Sequence, residues 1–150
     1  MAAATITFYQ SFSEYLGDGT FDMDNNTFNV TLHTSTYTPS ASTHTVYANL
    51  TNELSTANGY TNGGQALSSV VWTRTSGTTK FDAADTVWTA AGGSIVARYA
   101  VIRAVGTLNG VVDPLVAYIL LDSAPADKTA TDTNTFTLAW NASGILTSAV

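Results

Sequence analysis

Two histidines and eleven carboxylates are the first candidates for acid–base or metal chemistry, and there is no cysteine for thiol chemistry. His33 ends an alternating segment, and His44 lies in the Thr/Ser-rich stretch 34–45. A hydrolase triad needs a base held between a nucleophile and an orienting carboxylate. The G-x-S-x-G nucleophile turn is absent, so both histidines are expected at the surface or at a strand edge. Asp18, Asp22 and Asp24, with Asn25 and Asn26, are oxygen-rich like a calcium loop but lack the ligand spacing, central Gly and closing Glu of the EF-hand. They read as a solvated turn before a strand. Asp82 and Asp85 have the residue types of a glycosidase pair, whose carboxyls must face across a cleft. Three residues apart, they read instead as the caps of a turn. Gly59-Tyr60-Thr61-Asn62-Gly63-Gly64 and Gly92-Gly93 precede no Lys-bearing helix, so they are loops and not phosphate cradles. Trp72, Trp88 and Trp140 each sit within an alternating strand, which favours packing over a sugar platform. Sequons begin at Asn25, Asn29, Asn49 and Asn141 and read as chance in so Thr-rich a chain. No catalytic residue, cofactor or metal is expected.

The elements that carry these residues are mostly strands. Hydrophobic residues make up 45% of the chain and charged residues 11%, against about 25% charged in an average domain. Thr is the commonest residue and suits the wet face of a strand. Residues 27–33 place Phe28, Val30 and Leu32 on one face, and 135–140 do the same with Phe136, Leu138 and Trp140. Residues 94–104 and 115–121 are apolar on both faces, as in central strands covered twice, once by a helix or by another subunit. Residues 70–75 and 78–81 flank a Ser76-Gly77 turn, and 86–89 and 144–147 complete about eight strands. Phe8, Phe12, Tyr15 and Leu16 share a helical face over residues 8–16, closed by Gly17-Asp18-Gly19. A second short helix is expected over 50–57. The fold class is all-β: one jelly-roll-like β-sandwich domain over 1–150, with 1–19 as a short helical N-terminal segment.

The net charge is -6, and the only basic residues are Arg74, Lys80, Arg98, Arg103 and Lys128. Direct binding to nucleic acid or to an anionic membrane is disfavoured, because both need clustered cations. The longest apolar stretch, 111–121, is broken by Asp113 and Pro114 and is too short to span a bilayer. The N-terminus has no basic segment ahead of an apolar run, so no signal peptide is expected and synthesis is expected in the cytoplasm.

A set of landmarks covers nearly the whole chain. It runs from Ile6-Thr7-Phe8-Tyr9 and Tyr15-Leu16-Gly17-Asp18-Gly19 through Asp22-Met23-Asp24, Phe28-Asn29-Val30-Thr31-Leu32 and Thr34-Ser35-Thr36-Tyr37-Thr38-Pro39. It continues with Asn52-Glu53-Leu54, the 59–64 loop, Val71-Trp72-Thr73-Arg74 and Ala97-Arg98-Tyr99-Ala100-Val101-Ile102, and ends with Asp113-Pro114-Leu115 and Trp140-Asn141-Ala142-Ser143-Gly144-Ile145. These residues resemble a family of small tailed-bacteriophage virion proteins. The chain departs from that pattern at Arg103-Ala104-Val105, where an acidic turn is expected before Gly106.

The resemblance implies a non-enzymatic capsid decoration, or cement, protein. Such a protein binds the outside of the major capsid shell, is often a homotrimer, and stabilises the virion against DNA pressure. The alternative is a tail-associated or receptor/glycan-binding structural protein. The implied partners are the major capsid protein and further copies of the chain, and the implied location is the capsid exterior after assembly in the host cytoplasm. The two strands apolar on both faces also argue for an oligomer. A short amphipathic helix must lean on something, either its own core or a neighbouring subunit. On the second reading Phe8, Tyr9, Phe12, Tyr15 and Leu16 are the candidate capsid or subunit interface.

Overall fold

The alternation of Thr and apolar residues translates almost directly into strands. The computed structural model describes residues 5–149. Its strands are β1 Thr5–Phe8, β2 Phe28–His33, β3 Gln65–Ala66, β4 Val71–Thr75, β5 Thr78–Asp82, β6 Thr86–Thr89 and β7 Ile95–Ala97. They continue as β8 Tyr99–Ala104, β9 Thr107–Leu108, β10 Val111–Val112, β11 Leu115–Leu120, β12 Lys128–Ala130, β13 Thr135–Leu138 and β14 Leu146–Ala149. One helix, α1 (Gln10–Gly17), and a single 3-10 turn at Tyr47–Asn49 complete the elements. The protein is an all-β, sandwich-like domain.

The largest sheet has five antiparallel strands in the order β1-β11-β8-β2-β3. Facing it are the sheet β14-β5-β4 and the pairs β13-β6 and β12-β7. Phe28, Val30, Leu32, Ala100, Ile102 and Ile119 of the first layer meet Phe81, Trp88, Ile95, Phe136 and Leu138 of the second in one apolar cluster. Each large side chain fully buried there contributes roughly 1.5–3 kcal/mol. Residues 76–77 form the expected hairpin turn, with Ser76 at φ 50 and Gly77 at φ 82, the left-handed conformations that a tight two-residue turn requires.

The structure corrects the sequence reading in four places. The expected helix over 8–16 begins only at Gln10, because Thr5–Phe8 pairs with β11 in the register Phe8↔Ala117. A neighbouring strand thus decides a segment whose local pattern suits both states. No helix forms over 50–57: Leu50 is extended, Asn52 is left-handed at φ 55, and the Leu54 N–H donates to the Leu32 carbonyl. The expected single strand over 94–104 is two strands, β7 and β8, which belong to different layers. Ile95 and Ala97 point into the core, but so do Ala100 and Ile102, so the alternation changes parity at Arg98. There the chain bends from one sheet to the other, and the Arg98 N–H donates to the His33 carbonyl. Finally, fourteen strands replace the expected eight among the described residues, the additions being mostly pairs of two or three residues.

Strands β8 and β11 are buried on both faces, as expected, but no other subunit is needed to bury them. Val101 and Leu115 on the second face pack with Tyr9 and Tyr37, with Tyr47 and Leu50 alongside. The cover is the chain's own segment between β2 and β3. Among the described residues no helix is long and apolar enough to cross a membrane.

Residues 5–17 thus contribute to both sides of the five-stranded sheet, Phe12 to one apolar cluster and Tyr9 to the other. Deleting residues 2–16 removes a sheet strand together with Tyr9, 1% exposed, and Phe12, 6% exposed. The expected outcome is a protein without a cooperative thermal transition, read by near-ultraviolet circular dichroism during heating.

Candidate functional site

The five aromatic and aliphatic residues of the N-terminal segment serve the protein's own interior. Phe8 and Phe12 lie 5.1 Å apart by ring centroid, and Phe12 continues through Phe21 to Phe28. Tyr15 meets Phe21 edge-on at 6.0 Å, and Leu16 is half-buried against the same cluster. Tyr9 lies on the other side of the sheet, where its hydroxyl is hydrogen-bonded to that of Tyr37 at 3.0 Å.

His33 is not at the surface, as its place at a strand end suggested, but 0% exposed. The segment between β2 and β3 folds back over it. Its Nδ1 donates to the Thr51 carbonyl at 2.8 Å, which leaves Nε2 to accept from the Thr31 hydroxyl at 2.9 Å. Burial lowers its pKa, so the ring is neutral at neutral pH and shielded from any substrate. His44 is half-buried, with Nδ1 3.1 Å from the Tyr37 hydroxyl, and its ring stacks on Tyr37.

The densest polar cluster was not anticipated from the sequence. Glu53 accepts hydrogen bonds from the Tyr47 hydroxyl at 2.5 Å, the Tyr60 hydroxyl at 2.6 Å and the Gly63 N–H at 2.6 Å. The Tyr60 oxygen in turn accepts from the Leu32 N–H. Arg103, on β8, pairs with Asp113 at 3.0 Å, donates to the Gly63 carbonyl at 3.3 Å and lies 4.1 Å over the Tyr47 ring. Its Nε is a buried donor with no partner. Burial, reinforced by the bond to Glu53, pushes the Tyr47 phenol up to about 12 and raises that of Tyr60 further. Burial also raises Tyr9 and Tyr37. Protonated phenols of this kind donate hydrogen bonds and do not act as bases near neutrality. The cluster clamps an irregular loop onto a sheet.

The other sequence motifs fall into structural roles. Asp22 accepts from the backbone of Asp24 and Asn25 and from the Asn25 side chain, which holds its carboxyl below the usual range, and Asp18 caps Thr20. Asp82 pairs with Lys80, whereas Asp85 accepts from the Trp140 N–H, so the two carboxylates have separate tasks. Trp88 and Trp140 are buried and Trp72 is half-buried against the core. The glycines of the 59–64 loop permit close approach: a Cβ on Gly64 would lie 2.1 Å from the Val30 carbonyl oxygen, and one on Gly59 1.9 Å from that of Thr89. Among the described residues no three metal-ligating side chains come together.

What faces outward is unlike all this. On β6 and β13 the inward residues are Trp88, Phe136 and Leu138, so Val87, Thr89, Thr135 and Thr137 share the outer face, paired Thr135↔Thr89 and Thr137↔Val87. On β7 and β12 the outer pair is Thr129↔Val96. Every residue of this strand face is a Thr or a Val. Val87 and Val96 are 40% and 39% exposed. Four of the five basic residues, Lys80, Arg98, Arg103 and Lys128, are in ion pairs among the described residues. The domain thus presents a β-branched strand surface bordered by Lys128, which lines a depression with Thr129, Thr135 and Thr137 and is paired with Asp122.

Comparison with known proteins gives no relative: no family model matches, and no curated protein or solved structure is similar.

Two outcomes test the clamp. Glu53→Ala leaves two phenols and a backbone N–H without their acceptor and is expected to cost roughly 3 kcal/mol in urea unfolding. His33 has a folded pKa below its unfolded value of 6.5, so the unfolded chain takes up the proton first as pH falls. The His33 contribution is intact above that value and is lost as pH drops through it toward the folded pKa. Urea midpoints measured between pH 8 and pH 5 should therefore decline toward acid, and His33→Gln should flatten that decline.

Proposed function

We propose that the chain is a non-enzymatic structural protein of a tailed-bacteriophage virion, a decoration protein that docks on the outside of the major capsid shell. The single observation that carries the reading is the outer face of β6, β7, β12 and β13, where Val87, Thr89, Val96, Thr129, Thr135 and Thr137 point outward and the one bordering charge, Lys128, is paired with Asp122. Interface centres are depleted in charge, and stiff β-branched side chains lose little freedom when covered. The spread of family-like landmarks from Ile6 to Ile145 supports the same reading. In this proposal the polar loop network keeps the domain rigid, so docking costs little ordering entropy.

Trimer formation belongs to the shell. Since both faces of the central sheet are covered within one chain, the free protein is expected to scatter light as a monomer.

The experiment is co-sedimentation of the purified protein with shells of the source phage that lack it, joined to electron cryomicroscopy of the virion. Val87→Asp combined with Thr129→Glu, which are not cross-strand partners, is expected to abolish co-sedimentation, a loss of at least about tenfold in affinity, while leaving the thermal midpoint within a few degrees of the parent. Density for the protein on the tail, or undiminished shell binding by that double variant, would overturn the proposal.

A further inference from the structure

We infer that the groove between strand β1 and residues 38–39 is a binding site for a neutral saccharide. Its floor is the outer side of the five-stranded sheet. Thr5, Leu120 and Tyr99 lie side by side in one row of the register, and Thr7 and Tyr118 adjoin in the next. Thr38 and Pro39 complete the lining of a space of about 390 Å³. It is a shallow, open depression, suited to the face of a ring and not to engulfing a ligand.

Three features select the ligand. Tyr99 and Tyr118 are half-buried and fixed from within, Tyr99 edge-on to Tyr37 at 5.8 Å and Tyr118 against Tyr9 at 5.6 Å. Rigid tyrosines offer contact area at little entropic cost, and their electron-rich faces suit the polarised C–H groups of a pyranose ring. Next, the hydroxyls of Thr5, Thr7, Thr38, Tyr99 and Tyr118 have no hydrogen-bond partner among the described residues, and none is a buried orphan. An apolar peptide would bury them unpaired, at a cost, whereas sugar hydroxyls both donate and accept. Lastly, no charged side chain lines the groove, which gives an anionic ligand no counter-charge.

Other depressions lack this combination. The larger one, about 590 Å³, on the outer face of β4, β5 and β14 has no aromatic lining and includes Lys80. The one beside Gly59 and Gly64 has an aromatic lining residue, Trp88, but it is only 4% exposed. The inference is independent of the capsid proposal: the groove lies on the five-stranded layer, and the Thr/Val face is on the opposite one. A domain docked by the latter would hold the groove away from the shell.

The test uses the full chain, with cellohexaose, maltohexaose and chitohexaose as neutral probes and sialyllactose as an acidic comparator, followed by calorimetry and saturation-transfer NMR. At least one neutral probe is expected to bind with a dissociation constant of about 1 mM or tighter. Saturation should transfer to its ring C–H protons, and sialyllactose should bind more weakly. Thr38→Trp, which truncates no ring and fills part of the groove with its own side chain, is expected to weaken binding about tenfold. Tyr118→Phe keeps the ring, and its effect of a few-fold reports the hydroxyl. Absence of binding by all three neutral probes at about 10 mM, equal binding of sialyllactose, or binding unchanged in both variants would overturn the inference.

Discussion

A strand with apolar residues on both sides has two faces to hide, and in β8 and β11 the second face is covered by a segment with almost no regular structure of its own. Irregular backbone cannot satisfy its N–H and carbonyl groups internally, so it stays on a sheet only where side chains or strand ends take up those groups. Here the work falls to a few residues. Glu53 gathers two phenols and the Gly63 N–H, His33 holds the Thr51 carbonyl, and Arg103 bridges Asp113 and Gly63. The 3-10 turn is held likewise, by Asn49 Oδ1 accepting from the N–H groups of Thr45 and Val46. The cover, the central sheet and the groove beside Tyr99 and Tyr118 all depend on this anchoring, because Tyr37 backs Tyr99 and belongs to the covering segment.

Charge is sparse because so little of it is needed in this arrangement. Lys80, Arg98, Arg103 and Lys128 each pair with an Asp that lies nearby in the fold. Only the Arg103 pair is deeply placed, its side chain 8% exposed, and there the guanidinium plane also covers Tyr47. The exposed pairs are worth little individually. The remaining surface is kept wet by hydroxyls, which leave strand faces able to meet another protein without stranding a charge.

The strand content of the fold was legible because period-two alternation with Thr on the wet face has few other interpretations. Phe28, Val30, Leu32, Phe136 and Leu138 face inward as that pattern requires. What was hidden is non-local. Thr5–Phe8 reads equally well as the start of a helix until β11 is present to pair with it. The parity change at Arg98 needs two sheets to be visible. Glu53, Tyr47 and Tyr60 are scattered through a loop, and nothing in their spacing announces that they converge. One signal was available: Arg98 and Arg103 are the two charges in the apolar run 94–104, and a buried cation such as Arg103 requires a partner, here Asp113. Similarly, Glu53 is one of only two glutamates in the chain.

The pairing of β1 with β11 also sets the order in which the chain can fold. Thr5 and Leu120 are neighbours in the sheet although most of the sequence separates them. During synthesis β1 emerges long before its partner, and its Ile6 and Phe8, with Tyr9 after them, must wait uncovered while β2 in turn waits for β8. Closing such distant pairs is entropically slow, so this sheet is completed only after β11 has left the ribosome. A sequence low in charge, with its first aromatic residues exposed over that interval, is at its most vulnerable to association with other nascent copies before it is finished, not after.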